Sequence, residues 1–95
     1  MKTLLLGLLL LQSIGYTVII QVVDRETDKP LPAEVFVKDW QVRTDAKGIA
    51  YFSGVSAGRH RLAIIADDDA YPTVNWTIMV PQQDAMIIRL EKKQP

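Results

Sequence analysis

Arg43-Thr44-Asp45-Ala46-Lys47-Gly48-Ile49-Ala50-Tyr51-Phe52 reads as strand, tight turn, strand. The Asp45 side chain can accept hydrogen bonds from the backbone of its own turn, and Gly48 can take the positive φ that closes it. Ile49 to Phe52 leave the turn as a short apolar strand. A second glycine corner, Ser56-Ala57-Gly58, feeds a strand from Arg59 to Ala66. The middle of the chain is therefore a β-meander, with Gly48 to Ser53 expected to return antiparallel on the strand before it.

The same alternation extends in both directions. Tyr16 to Val23 reads as the first strand, with Val18, Ile20 and Val22 on one face. Asp24 to Pro30 is a polar turn, and Pro30 and Pro32 keep the following residues extended. Ala33 to Lys38 is a strand, Asp39 and Trp40 a loop, and Gln41 to Thr44 the approach to the central turn. His60, Leu62, Ile64 and Ala66 share a face. Asp67 to Pro72 is a loop. Val74, Trp76, Ile78 and Val80 share a face, which assigns Trp76 to the core, and Met86, Ile88 and Leu90 share one in the last strand. Seven short strands with turn signals between them predict an all-β, seven-stranded antiparallel sandwich of immunoglobulin-like or transthyretin-like type.

Residues 1–15 differ from the rest. Met1-Lys2-Thr3 precedes an apolar run from Leu4 to Leu11, followed by Ser13 and Gly15 at the spacing of a signal-peptidase site. The run is shorter than the roughly 20 residues a transmembrane helix needs. The expectation is a helical, hydrophobic signal peptide over 1–15, cut before Tyr16, with a retained anchor as the rival, and a β-sandwich domain over 16–95. That places the protein outside the cell or at its surface; contact with a membrane follows only if 1–15 is retained.

Composition narrows the function. The 95 residues carry 11 basic and 11 acidic side chains, so the basic stripe of a nucleic-acid binder is missing. With 48% apolar residues the chain can build a core. With no cysteine, disulfides, thiolate nucleophiles and Cys-ligated metals are impossible.

Several turn and core residues together resemble the carboxypeptidase regulatory-like domains of the transthyretin-like (prealbumin-like) group. They are Val22-Val23-Asp24, Lys29-Pro30-Leu31-Pro32-Ala33 with Val35 and Val37, the Thr44-Asp45-Ala46-Lys47-Gly48 turn with Tyr51-Phe52, then Gly58, Leu62, Ile64, Ala66, Ile88 and Leu90. The resemblance spans about Val18 to Leu90 and departs at His60, where the pattern has an aromatic, usually Tyr. It implies a sandwich and an accessory role in packing or binding. The hydroxyisourate hydrolase of this fold group ends in Tyr-Arg-Gly-Ser; this chain ends Glu91-Lys92-Lys93-Gln94-Pro95, so the activity is not implied. The Lys–Asn isopeptide bond of collagen-adhesin relatives is not implied either, since the first strand has no Lys and the last no Asn.

No residue set marks a catalytic centre. His60 is the sole histidine, in phase with Leu62 and Ile64, and reads as a core-edge residue with one hydrogen bond. A nucleophilic triad needs an activated Ser with a base and an orienting acid, and Ser53 and Ser56 carry no such mark. Asp67-Asp68-Asp69 offers oxygen ligands without the spacing of a calcium loop. No metal or cofactor is expected. Asn75-Trp76-Thr77 fits a glycosylation acceptor but falls inside a predicted strand. Trp40 and Tyr71, both in predicted loops, are candidates for a ligand platform. Ile19, Phe36, Ile65, Met79 and Ile87 point away from the predicted core and are candidates for one interaction face. The chain is expected to be a non-enzymatic extracellular structural or interaction module, packing on itself or on another extracellular protein. The alternatives are a secreted accessory domain binding a carbohydrate, peptide or enzyme, and a small membrane-anchored subunit.

Overall fold

The turn at Thr44–Gly48 forms as its residues dictate. The Asp45 Oδ1 accepts hydrogen bonds from the amides of Lys47 at 2.8 Å and Ile49 at 3.0 Å. Gly48 has φ 77°, and a Cβ there would lie 2.5 Å from the Val22 carbonyl oxygen. The strands on either side, however, belong to different sheets. Thr44 is held to the strand that begins at Ala33: its amide donates to the Ala33 carbonyl, its Oγ1 donates to the Leu31 carbonyl, and the Ala33 amide donates to that Oγ1. Gly48 is held to the first strand, because its carbonyl accepts the Val22 amide at 2.8 Å. Two strands capture the two ends of the turn, so it is a corner between sheets where the sequence predicts a hairpin.

The computed structural model describes residues 15–94 and places seven strands among them. They are β1 (Tyr16–Asp24), β2 (Ala33–Val37), β3 (Trp40–Arg43), β4 (Ile49–Val55), β5 (Gly58–Ala66), β6 (Val74–Val80) and β7 (Met86–Leu90). The sheets run β4-β1-β7 and β3-β2-β5-β6. The helix expected over 1–15 falls outside the described residues, apart from Gly15. Gly15 has φ 65°, and a Cβ on it would collide with the backbone of Gly54 at 2.5 Å.

One pairing departs from the antiparallel expectation. β1 and β7 run parallel, from Ile20 beside Met86 to Asp24 beside Leu90. Parallel neighbours need a crossover rather than a hairpin, and here every intervening strand supplies it. The β6–β7 connection leaves the edge of the larger sheet and delivers β7 to the edge of the smaller one.

Alternate residues fill the space between the sheets. Val18, Ile20 and Val22 of β1 meet Ala33, Val35 and Val37 of β2, Phe52 of β4, Leu62 and Ile64 of β5, Ile78 and Val80 of β6, and Ile88 and Leu90 of β7. Burying each large aliphatic side chain contributes about 1.5–3 kcal/mol relative to leaving it in water. Among the described residues this core is the main source of stability, because the chain has no disulfide.

Trp76 is the exception to the phase rule. It pairs with buried Leu62 and so shares the inward face, yet it is 53% exposed. Ile78 and Val80, on the same face of the same edge strand, are buried, so the exposure is confined to the Val74–Trp76 half of β6. Trp40 also departs from its expected loop. Lys38 at φ 57° closes a two-residue turn, and Trp40 opens β3 opposite Val37.

Candidate interaction surfaces

The sequence predicts five apolar residues on one outward face, and the sheet assignment divides them. Ile19 and Ile87 lie on the outer face of β4-β1-β7; Phe36, Ile65 and Met79 lie on that of β3-β2-β5-β6. The single patch is therefore two smaller ones on opposite sides of the sandwich. Sequence alternation gives the phase of each strand but not the sheet to which it belongs.

On the smaller sheet Ile19 pairs with Tyr51, and Ile87 with Gln21. Tyr51 is exposed and extends the apolar surface; its alternation with Ala50 and Phe52 is the signal that would have singled it out. On the larger sheet Phe36 is half-buried between Gln41 and Ala63. Glu34 accepts a hydrogen bond from Gln41, and Arg43 pairs with Asp67. Ile65 pairs with Glu34, Met79 with Arg59. Charged residues thus interrupt this face.

The aromatic platform does not assemble. Tyr71 is buried, and its hydroxyl donates to Asp24 Oδ2. Asp24 Oδ1 accepts the amides of Glu26 at 2.8 Å and Thr27 at 2.9 Å. The Tyr71 hydrogen bond, with those of the loop amides, holds the Asp24 carboxyl down at about 2, and the same bond with burial pushes the Tyr71 phenol up to about 12. Tyr71 is a strut that pins the 67–72 loop to the end of β1. Trp40 remains exposed, but on β3, at the edge of the larger sheet opposite β6 and Trp76.

The remaining candidates have structural partners. His60 is buried on the inner face, with Nε2 2.8 Å from the Ser56 carbonyl oxygen and 3.4 Å from Ser56 Oγ. Asp68 Oδ1 accepts the Ala70 amide at 2.8 Å, and Asp67 is taken by Arg43, so the acidic loop spends two carboxylates on its own shape. Asn75 is exposed on β6. A shallow cleft beside the start of β1 is lined by Thr17, Ile19, Gln82, Gln83 and Asp84.

No protein-family model matches the chain, and no curated protein does. The likeness to carboxypeptidase regulatory-like domains therefore rests on turn and core residues alone. Solved structures do match in fold. The crystal structure of the group B streptococcus pilus 2b backbone protein aligns with a TM-score of 0.68 at 12% identity, over 82% of this chain and 41% of that one. A streptococcal ancillary pilin aligns with a TM-score of 0.64 at 18% identity, over 87% of this chain and 30% of that one. The chain spans less than half the length of either. Its class is an all-β sandwich of the architecture found in these pilins.

Proposed function

We propose that this chain is a non-enzymatic structural or interaction module of an extracellular, cell-surface assembly, docking on copies of itself or on another extracellular protein. The observation that carries this reading is the sandwich it has in common with two streptococcal pilins. Exposed Tyr51, Ile65, Trp76, Met79 and Ile87 support it, because each leaves apolar area for a protein partner. The export signal expected over 1–15 supports the location. The alternative of a secreted accessory domain binding a carbohydrate, peptide or enzyme has less support, because Tyr71 is buried.

The test is fractionation of the native host, with intact mass and particle size of the recovered chain. The expected result is surface or extracellular material of high mass, with its polypeptide starting at Tyr16. Recovery as a free cytosolic monomer would overturn the proposal.

A further inference from the structure

Each sheet has two edges, and three of the four are guarded against another strand. β3 has four residues and ends on Arg43. β7 has five and carries Arg89. β4 is kinked, with Gly54 at φ 71° and an irregular register against β1 between Tyr16 and Val18. Short length, charge and bulges are the devices that keep edges from pairing. β6 has none of them. Its seven residues, Val74-Asn75-Trp76-Thr77-Ile78-Met79-Val80, carry no charge and pair with β5 in unbroken register from Val80–Gly58 to Val74–Ile64. Both of its faces show large exposed side chains, Trp76 at 53% and Met79 at 57%.

We propose that β6 is a self-pairing edge, joining antiparallel to β6 of a second copy about a two-fold axis at Thr77, so that two four-stranded sheets become one of eight. This rests on the interaction-module reading and names its partner. The occupant follows from the strand's own symmetry. In this register Val74 faces the other copy's Val80, Trp76 its Ile78, Asn75 its Met79, and Thr77 its Thr77. Every pair is uncharged, and an isologous contact needs a self-complementary patch. Trp76, exposed on the inner face of β6, then gains a neighbour in the other copy's Ile78. Pro72 and Pro81, which lack an amide proton, stand just beyond the two ends and stop the ladder at seven residues in both copies. The chain has no net charge to oppose pairing. Arg61 of each copy is one strand back, which separates the two by about 14 Å at ~4.8 Å per strand, beyond the ~8 Å screening length of physiological salt. One strand pair is small beside the roughly 1,200 Å² of a stable interface, so association is expected to depend on concentration.

The absence of cysteine makes a direct test possible. Single variants Thr77→Cys, Asn75→Cys and Met79→Cys of the full chain are oxidised at high micromolar concentration and read on non-reducing gels. On the axis, paired Cα atoms stand about 4.5–5.5 Å apart, inside the disulfide range of about 4.4–6.8 Å. Thr77→Cys should therefore form a covalent dimer. Asn75→Cys and Met79→Cys should remain monomers when alone, since each meets its own copy only at about 14 Å along the ladder, and should cross-link when mixed. Trp76→Lys should weaken association of the otherwise unaltered chain in light scattering without moving the melting temperature of the dilute monomer. Failure of Thr77→Cys to cross-link, or equal cross-linking by all three variants, would overturn the β6 proposal. If the chain nevertheless associates in light scattering, the module reading stands and another surface is responsible. If it is a monomer there and also absent from any host assembly, both readings fall.

Discussion

The phenol of Tyr71 donates its hydrogen bond to the carboxylate of Asp24, across 47 positions of sequence and with both side chains buried. The carboxyl titrates at about 2 when folded against 3.8 ordinarily. A group with a lowered folded pKa stabilises the fold above its unfolded value and loses that contribution as pH falls through the folded one. Melting temperature should therefore fall between about pH 4 and pH 2. The phenol moves the other way, from 10 to about 12, so its contribution is present below pH 10 and is lost as pH rises towards 12. Tyr71→Phe should flatten both limbs in thermal melts taken across pH. An unchanged profile would show that the bond does not couple to folding.

Ile64 and Ile65 are neighbours on β5 with opposite fates, fully buried and 45% exposed. Ile64→Ala should cost about 2–5 kcal/mol, the range for emptying a packed core site. Ile65→Ala should stay within about 0.5 kcal/mol in a monomer. Denaturant titration of both variants checks the phase of the strand; equal losses would mean that it is wrongly assigned.

Gly48→Ala should destabilise more than Lys47→Ala. The left-handed backbone alone costs a non-glycine residue roughly 1–2 kcal/mol, and the new Cβ meets the Val22 carbonyl at 2.5 Å. Because this turn ties the two sheets together, the loss should appear in global unfolding. A Gly48→Ala melt equal to that of Lys47→Ala would show that the corner is more pliant.

Calcium should leave the melting temperature unchanged. Asp67 is held by Arg43 and Asp68 caps the Ala70 amide, so converging on an ion would dismantle the loop. A rise of several degrees on adding Ca²⁺, lost in Asp68→Asn, would show that the loop rearranges into a site.

Most of the strands were legible because alternation is local: Val18-Ile20-Val22, Leu62-Ile64 and Ile88-Leu90 declare their inward faces without knowing their neighbours. The turn chemistry of Asp45 and Gly48 was legible for the same reason. What lay beyond the sequence was non-local. Whether β3 and β4 pair depends on Val22 and Ala33, which capture opposite ends of the turn. Trp76 has the inward phase of buried Ile78 and Val80, yet stands exposed near the start of an edge strand. Tyr71 reads as a free loop aromatic in the sequence because the carboxylate that binds it belongs to β1. The division of Ile19 and Ile87 from Phe36, Ile65 and Met79 has the same origin, since no local pattern says which sheet a strand will join.

Parallel pairing of β1 with β7 also has a mechanical meaning. Strands that run the same way start at the same end, so the chain enters β1 at one pole of the sandwich and leaves β7 at the other. Tension between those points pulls the two strands past one another along their length. The backbone bonds between Ile20–Asp24 and Met86–Leu90 then bear the load together, in shear, rather than opening one at a time as in an unzipped hairpin. Resistance to pulling is set by the unfolding rate rather than by equilibrium stability, and this geometry slows that step under load. Pulling on the two ends of this domain therefore loads the β1–β7 ladder in shear, whatever its equilibrium stability.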